Sequence, residues 1–271
     1  FTEFKLSSGI SINPFRMIDE TLAEGDDDYL VDCLAMLKSI VSQMARNETR
    51  LNDTERGLID QAVNLVWDTH GRDGTIDHVM QALKGHEHPF AYDLATSLLP
   101  FAAKGTYGKF FLGDANLDLS ADLTVFELSD LATRVELRGV VLTSIMFIAS
   151  QVMRRMDRAI PKPLIIDEAW QMLKGGAMAD FVETYSRTCR KYGGALITAT
   201  QSIHDYYKSE GSRAALENSD WFLILQQKGE TISDFRNSDR FEMDNLTEAL
   251  LRSLKRNGTD YSDIFIRGPD T

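Results

Sequence analysis

An α/β fold, with a mostly parallel sheet, helices on both faces and an inserted all-helical bundle, is predicted by three features of the sequence. Short apolar runs at 163–166, 195–198 and 221–225 end in polar residues. Stretches with three- and four-residue apolar steps lie between them, and this alternation of strand and helix patterns makes a parallel sheet covered on both sides. Residues 26–103 show helical periodicity and no strand pattern, so they read as a bundle inserted into a body formed by residues 1–25 and 104–271. The 271 residues, 43% hydrophobic and 26% charged, have the composition of a globular chain that buries a sizeable core.

In chain order, residues 1–6 alternate weakly and read as a strand, and 9–15 as a second one stopped by Asn13-Pro14. Leu30, Cys33, Leu34, Leu37, Val41 and Met44 recur at helical steps over 26–44. Asp26, Asp27 and Asp28 sit in its first turn, where the helix dipole favours acids more readily than a metal would. A second helix over 53–69 carries Leu58, Ile59, Ala62, Val63 and Val66. After the break between Gly71 and Gly74, a third carries Ile76, Val79, Met80 and Leu83, and a fourth over 89–103 carries Leu94, Leu98 and Phe101. His86-Glu87-His88 falls in the intervening loop, and two imidazoles are fewer than the three or four ligands a zinc site needs. Residues 123–128 read as a strand, and Thr133 with Glu136 as a capping box opening a long helix to 158. Arg154, Arg155 and Arg158 suit that helix's negative end. Helices over 178–192, 214–218 and 246–255 and an edge strand over 261–266 complete the chain.

A net charge of −12 and a pI near 4.9 argue against a polyanion-binding body, though a local basic groove for nucleic acid stays open. Cys33 and Cys189 are far apart, at apolar or helical positions, the pattern of reduced thiols rather than a disulfide framework. The chain shows no signal-peptide pattern at its start. No apolar run reaches the ~18 residues of a membrane span; the longest, 140–148, is interrupted by Thr143 and Ser144.

The chemistry concentrates at the ends of two strands. One ends in Asp167-Glu168 and the next in Gln201; both have the apolar runs of strands buried on two faces. Ligands of open α/β sheets bind beyond the carboxyl ends of the strands. Two carboxylates and an amide placed there match a nucleoside-triphosphatase: Asp167 holds Mg²⁺ through water, Glu168 polarises the attacking water, and Gln201 senses the γ-phosphate. Acids after a strand also serve as helix N-caps. Tyr107-Gly108-Lys109 is followed by Phe110, so it is no phosphate-binding loop, and nothing else matches G-x-x-x-x-G-K-[ST].

Ile12-Asn-Pro-Phe15, Tyr107-Gly-x-Phe110, Leu164-Ile-Ile-Asp-Glu-Ala-Trp170, Thr188-Cys-Arg-Lys-Tyr-Gly193, Ala199-Thr-Gln-Ser202 and Leu216-Glu-Asn218 follow one another in that order. This set resembles the large cytoplasmic ATPases of type IV secretion and conjugation systems, with its nearest likeness in the F-type branch. The resemblance implies a RecA-like hexameric motor that binds ATP and Mg²⁺ at subunit interfaces. Such a motor drives pilus assembly and substrate transfer from the cytoplasmic side of the bacterial inner membrane, beside other secretion-machinery proteins. It implies Asp167 as the Mg²⁺ residue, Glu168 as the water residue, Gln201 as the sensor, and Arg187 or Arg190 as an arginine acting on a neighbouring subunit. It also implies a phosphate-binding loop ahead of residue 1. On that basis the 271 residues alone are expected to bind nucleotide weakly and not to turn it over. The strand leading into that loop would lie between 195–200 and 221–225, so these two are expected to pair directly or to take another chain into the gap. Two alternatives stand beside this: a DNA-pumping coupling-protein relative, marked by salt-steep DNA affinity, and an assembly module that hydrolyses nothing.

Overall fold

The computed structural model describes residues 2–3, 9–46, 51–117, 121–168, 177–208, 210–237 and 243–269. The N-terminal helices are α1 (Glu20–Gly25), α2 (Asp27–Ala45), α3 (Asp53–His70), α4 (Ile76–Lys84) and α5 (Pro89–Ser97). Their ends follow from the local sequence. Asp26 accepts from the Tyr29 amide to start α2, and Asn52 and Glu55 form a reciprocal capping box on α3. His88 caps α5 through Nδ1, which accepts from the Phe90 amide at 3.2 Å, while His86 Nδ1 accepts from the His88 amide at 3.0 Å. The His86-Glu87-His88 turn is therefore spent on capping.

The core of these helices continues beyond them. Cys33, Leu37, Ile40, Ile59, Val79 and Leu94 join Ile12, Phe15, Phe110 and Phe111 in one buried cluster. The cluster runs into α6 (Val135–Arg155) through Leu137, Val140, Val141, Ile145 and Phe147. On another face of α6, Met146 and Met153 belong to a second cluster with Ile166, Val182 and Tyr185. The helix is thus the spine that joins the helical region to the sheet. At 21 residues, with a mean hydropathy of 1.4 over its best window, α6 is long and apolar enough to cross a membrane. Half of that window is buried inside the fold, which is the setting of a core helix. Thr143 and Ser144 are fully buried there, each satisfied by the carbonyl four residues earlier.

Four two-stranded ladders are present among the described residues. β1 (Thr2–Glu3) runs parallel to β2 (Phe126–Glu127), and β3 (Lys162–Ile166) parallel to β4 (Gly194–Thr198). β5 (Phe222–Leu225) is antiparallel to β8 (Ile264–Arg267), and β6 (Arg256–Asn257) to β7 (Tyr261–Ser262). The remaining helices are α7 (Ala177–Thr188), α8 (Glu210–Glu217), α9 (Gly229–Asn237) and α10 (Asn245–Ser253). The helix α9 lies in a stretch to which the sequence patterns assigned no element.

Several expectations change. Residues 9–13 form no strand; instead the Ile12 amide donates to the Phe110 carbonyl and the segment packs into the helical core. The strand over 123–128 contracts to β2, and Leu123 is 74% exposed. The capping box at Thr133 does not form: Arg134 precedes α6 with no side-chain cap, and the helix ends at Arg155 rather than 158. The strands are not buried on both faces. Ile166 is buried, whereas Ile165 and Ile197 are 63% and 49% exposed. Leu223 and Ile266 on β5 and β8 are likewise more than half exposed. Nor do β4 and β5 pair with each other; β4 bonds β3 and β5 bonds β8. The penalty for unpaired ladder groups applies to buried ones. These strands keep one face open, so water can satisfy their free edges.

Candidate functional site

Parallel pairing of β3 and β4 brings the sequence-predicted residues to one edge. Ile166 stands opposite Thr198, and the Ala199 amide donates to the Ile166 carbonyl at 2.9 Å. Asp167 and Glu168 therefore leave the end of β3 beside the loop that carries Gln201. All three are exposed. The Asp167 carboxylate Oδ1 accepts from the Glu168 amide at 2.8 Å. Glu168 has φ +50, and among the described residues no other residue except glycine has a positive φ. A left-handed conformation costs an L-residue about 1–2 kcal/mol, and such strain collects at functional sites. Ala169 and Trp170 lie outside the described residues.

The Gln201 loop is held by a cluster that the sequence patterns missed. Asp205, 7% exposed, lies 2.6 Å from the Thr200 hydroxyl and 2.6 Å from Lys208 Nζ. The Ser202 amide donates to Thr200 Oγ1 at 3.0 Å. Two residues earlier, the Tyr206 hydroxyl donates to the Thr198 carbonyl at 3.1 Å. Gln201 itself is exposed and makes no side-chain hydrogen bond among the described residues. The available signal was the spacing Thr200-x-Ser202-x-x-Asp205, in which short polar side chains cap a turn.

Burial works against ionisation of Asp205, but hydrogen bonds from Lys208 and Thr200 outweigh it and hold the carboxyl below its ordinary 3.8. A depressed carboxyl contributes stability above its unfolded pKa, and loses it as pH falls through the folded value. The Asp205→Asn variant should therefore melt below the parent at neutral pH, by about 1–3 kcal/mol for the lost charged partner. The difference should close as pH drops below the ordinary carboxylate range, which thermal melts from pH 7 to pH 2 would measure.

The arginines lie at the other end of the strands. α7 runs back against the strand direction, and its last turn passes into a 3₁₀ turn, Cys189–Tyr192, ahead of β4. Lys162, the first residue of β3, donates through Nζ to the carbonyls of Asp157 at 2.7 Å and Tyr192 at 2.9 Å. Gly193, with φ +73, lets the chain pass the end of α6, since a Cβ there would lie 2.2 Å from the Arg158 carbonyl oxygen. Five strand residues at about 3.3 Å each separate this end from Asp167 by roughly 15 Å. Arg187 pairs with Glu183 one turn earlier at 2.9 Å. Arg190 is exposed and makes no ion pair among the described residues.

The donor set suits a hard cation of small appetite. Mg²⁺ takes one or two carboxylates and completes its shell with water and phosphate oxygens. Among the described residues no group of three or more His, Cys, Asp or Glu side chains is placed to bind a metal. Asp167, presented beside Glu168, fits this role.

Comparison with known proteins identifies the family and the fold. Residues 72–269 match the TraG P-loop domain family. Protein TraC of Escherichia coli (strain K12) is 31% identical over 212 residues, which is 72% of this chain and 24% of TraC. The chain thus spans about a quarter of the curated relative it matches. The structure of VirB4 of Thermoanaerobacter pseudethanolicus superposes with a TM-score of 0.69 at 22% identity, over 93% of this chain and 71% of that one. That likeness identifies the fold as the RecA-like α/β class. The chain belongs to the TraG P-loop domain family and resembles the type IV secretion ATPases, TraC among them.

Proposed function

We propose that these residues form the C-terminal part of an ATPase motor domain of a type IV secretion or conjugation machine, with residues 26–103 as its helical insertion. The observation that carries this is the pairing of β3 with β4, which puts Asp167, Glu168 and Gln201 on one carboxyl edge. In this reading a Mg²⁺ ion, when bound, neutralises charge on the transferred phosphoryl group. Asp167 would hold that ion through its water shell. Glu168 accepts a hydrogen bond from the attacking water and turns its lone pair toward phosphorus. Gln201, fixed by the Thr200–Asp205–Lys208 frame, contacts the γ-phosphate and reports its presence to the loop. Arg190 serves the site of an adjacent subunit in a ring, because its own Asp167 is a strand length away.

In this reading a phosphate-binding loop supplies the backbone cradle and lysine that grip the phosphates, and no stretch of these 271 residues matches one. Ile165 and Ile197, opposite each other on β3 and β4, and Leu223 on β5 are exposed, apolar surface of the kind that a further strand and helix would cover. ATP turnover by the native, full-length chain should require Mg²⁺ and fall to background in Asp167→Asn, while the 271 residues alone should show none. Turnover unaffected by Asp167→Asn would overturn the assignment. Pilus assembly and substrate transfer are the work such a motor would drive, with other secretion-machinery proteins as partners at the inner membrane.

A further inference from the structure

The β6–β7 hairpin has no role in the site described so far. It joins α10 to β8, and its base is clamped: the Asp263 amide donates to the Lys255 carbonyl, and the Lys255 amide to Asp263 Oδ2, both at 2.9 Å. Because β8 starts opposite Leu225, the hairpin overhangs the carboxyl end of β5. Between them lies a cavity of about 630 Å³, lined by Leu225, Gln226, Arg256, Thr259, Tyr261 and Ser262. That volume falls within the range of small-molecule sites, about 300–1,000 Å³.

Two features tie this cavity to the strand end that carries Asp167 and Gln201. β4 is followed by α8 and then β5, the order of a helical crossover between strands running the same way. Phe235 of α9, the helix that follows β5, also packs on His204 and Tyr207 at ring-centroid distances of 5.1 and 5.9 Å. Those residues directly follow the Gln201 loop, which ties the two units together.

The lining has a specific chemistry. Tyr261 is 60% exposed. Arg256 donates its Nε to the Gly258 carbonyl at 3.3 Å, which leaves both terminal nitrogens without a partner among the described residues. The Gln226 amide and the Thr259 hydroxyl add one donor–acceptor group each. A planar aromatic, a planar cation and paired donor–acceptor groups are the elements that recognise a heteroaromatic base, by stacking and by edge hydrogen bonds. Leu225 supplies the apolar floor.

We propose that this cavity receives the purine base of the nucleotide whose phosphates meet Asp167, Glu168 and Gln201, with Tyr261 as the stacking platform. The proposal rests on the triphosphate reading of that edge and adds where the base goes. Stacking and edge contacts here set affinity for the nucleoside and leave the phosphate chemistry alone.

Photolabelling of the full-length chain with 8-azido-ATP tests the placement, and Tyr261→Ala tests the energetics. Label is expected on the peptide spanning 255–262, with competition by ATP. Tyr261→Ala should weaken ATP binding about tenfold or more, since losing one base-stacking partner has that scale of effect. Inorganic tripolyphosphate should bind equally to both proteins, and Tyr261→Phe should keep the parent affinity. The side chain is exposed, so neither change threatens the fold. Label confined to other peptides, or unchanged ATP affinity in Tyr261→Ala, overturns the base site. If hydrolysis is still lost in Glu168→Gln, the triphosphate reading survives that outcome. Failure of the full-length chain to bind ATP at all would overturn both.

Discussion

Glu168→Gln in the full-length chain should leave ATP binding close to the parent while hydrolysis falls by about 10²–10⁴, the range general-base assistance supplies. The amide keeps the size and the hydrogen-bonding reach of the side chain but cannot take up the proton of the attacking water. The left-handed backbone at φ +50 is unchanged by this substitution, so the loss would report chemistry rather than folding. Single-turnover hydrolysis with nucleotide binding measured alongside would separate the two. Equal loss of binding and turnover would instead assign Glu168 to holding the substrate.

Arg190→Ala should have an effect of similar size for a different reason. An arginine supplied across a subunit interface contributes about 10³–10⁵ in rate by stabilising charge that develops on the transferred phosphoryl group. Its absence should leave the chain's own ATP affinity intact. Mixing Arg190→Ala with Glu168→Gln subunits should restore part of the activity, because some interfaces then pair an intact Glu168 with an intact Arg190. Loss of ATP affinity in Arg190→Ala, or failure of mixing to restore any turnover, would argue against action in trans. Arg187→Ala should matter less, since its guanidinium is already engaged by Glu183 in an exposed i,i+4 pair worth a few tenths of a kcal/mol.

The helices from 26 to 101 were legible because each carries its apolar stripe and its caps within one short stretch. In the structure Asn52 with Glu55, Thr75 with the His78 amide, and His88 ahead of Pro89 cap the starts of α3, α4 and α5. The capping signature at Thr133 misled for a related reason. Such a signature needs the chain before the helix to take a cap conformation, and there Leu131 is buried in the core while Arg134 occupies the cap position. The pattern over 9–15 also misled, because Ile12 and Phe15 are apolar for the sake of the helical core rather than for a ladder. The stretch over 229–237 gave no warning of α9, since the helix buries only Ile232 and Phe235 and so lacks a long stripe.

By itself the sequence singled out the candidate residues at the strand ends: two acids after one apolar run and an amide after the next, both on strands of a mostly parallel sheet. That much follows from periodicity and from the rule that parallel strands present their carboxyl ends together. Only the tertiary structure decided where the arginines stand, which face of the strands is bare, what holds Gln201 and where the hairpin cavity opens. The placement of Arg190 depends on Lys162 bolting the ends of α6 and the 3₁₀ turn to the start of β3. The cavity depends on Leu225 meeting Ile264 across 39 residues of chain. Contacts of that kind are set by how whole elements bury their apolar faces against one another, and no local pattern encodes which distant face will be available.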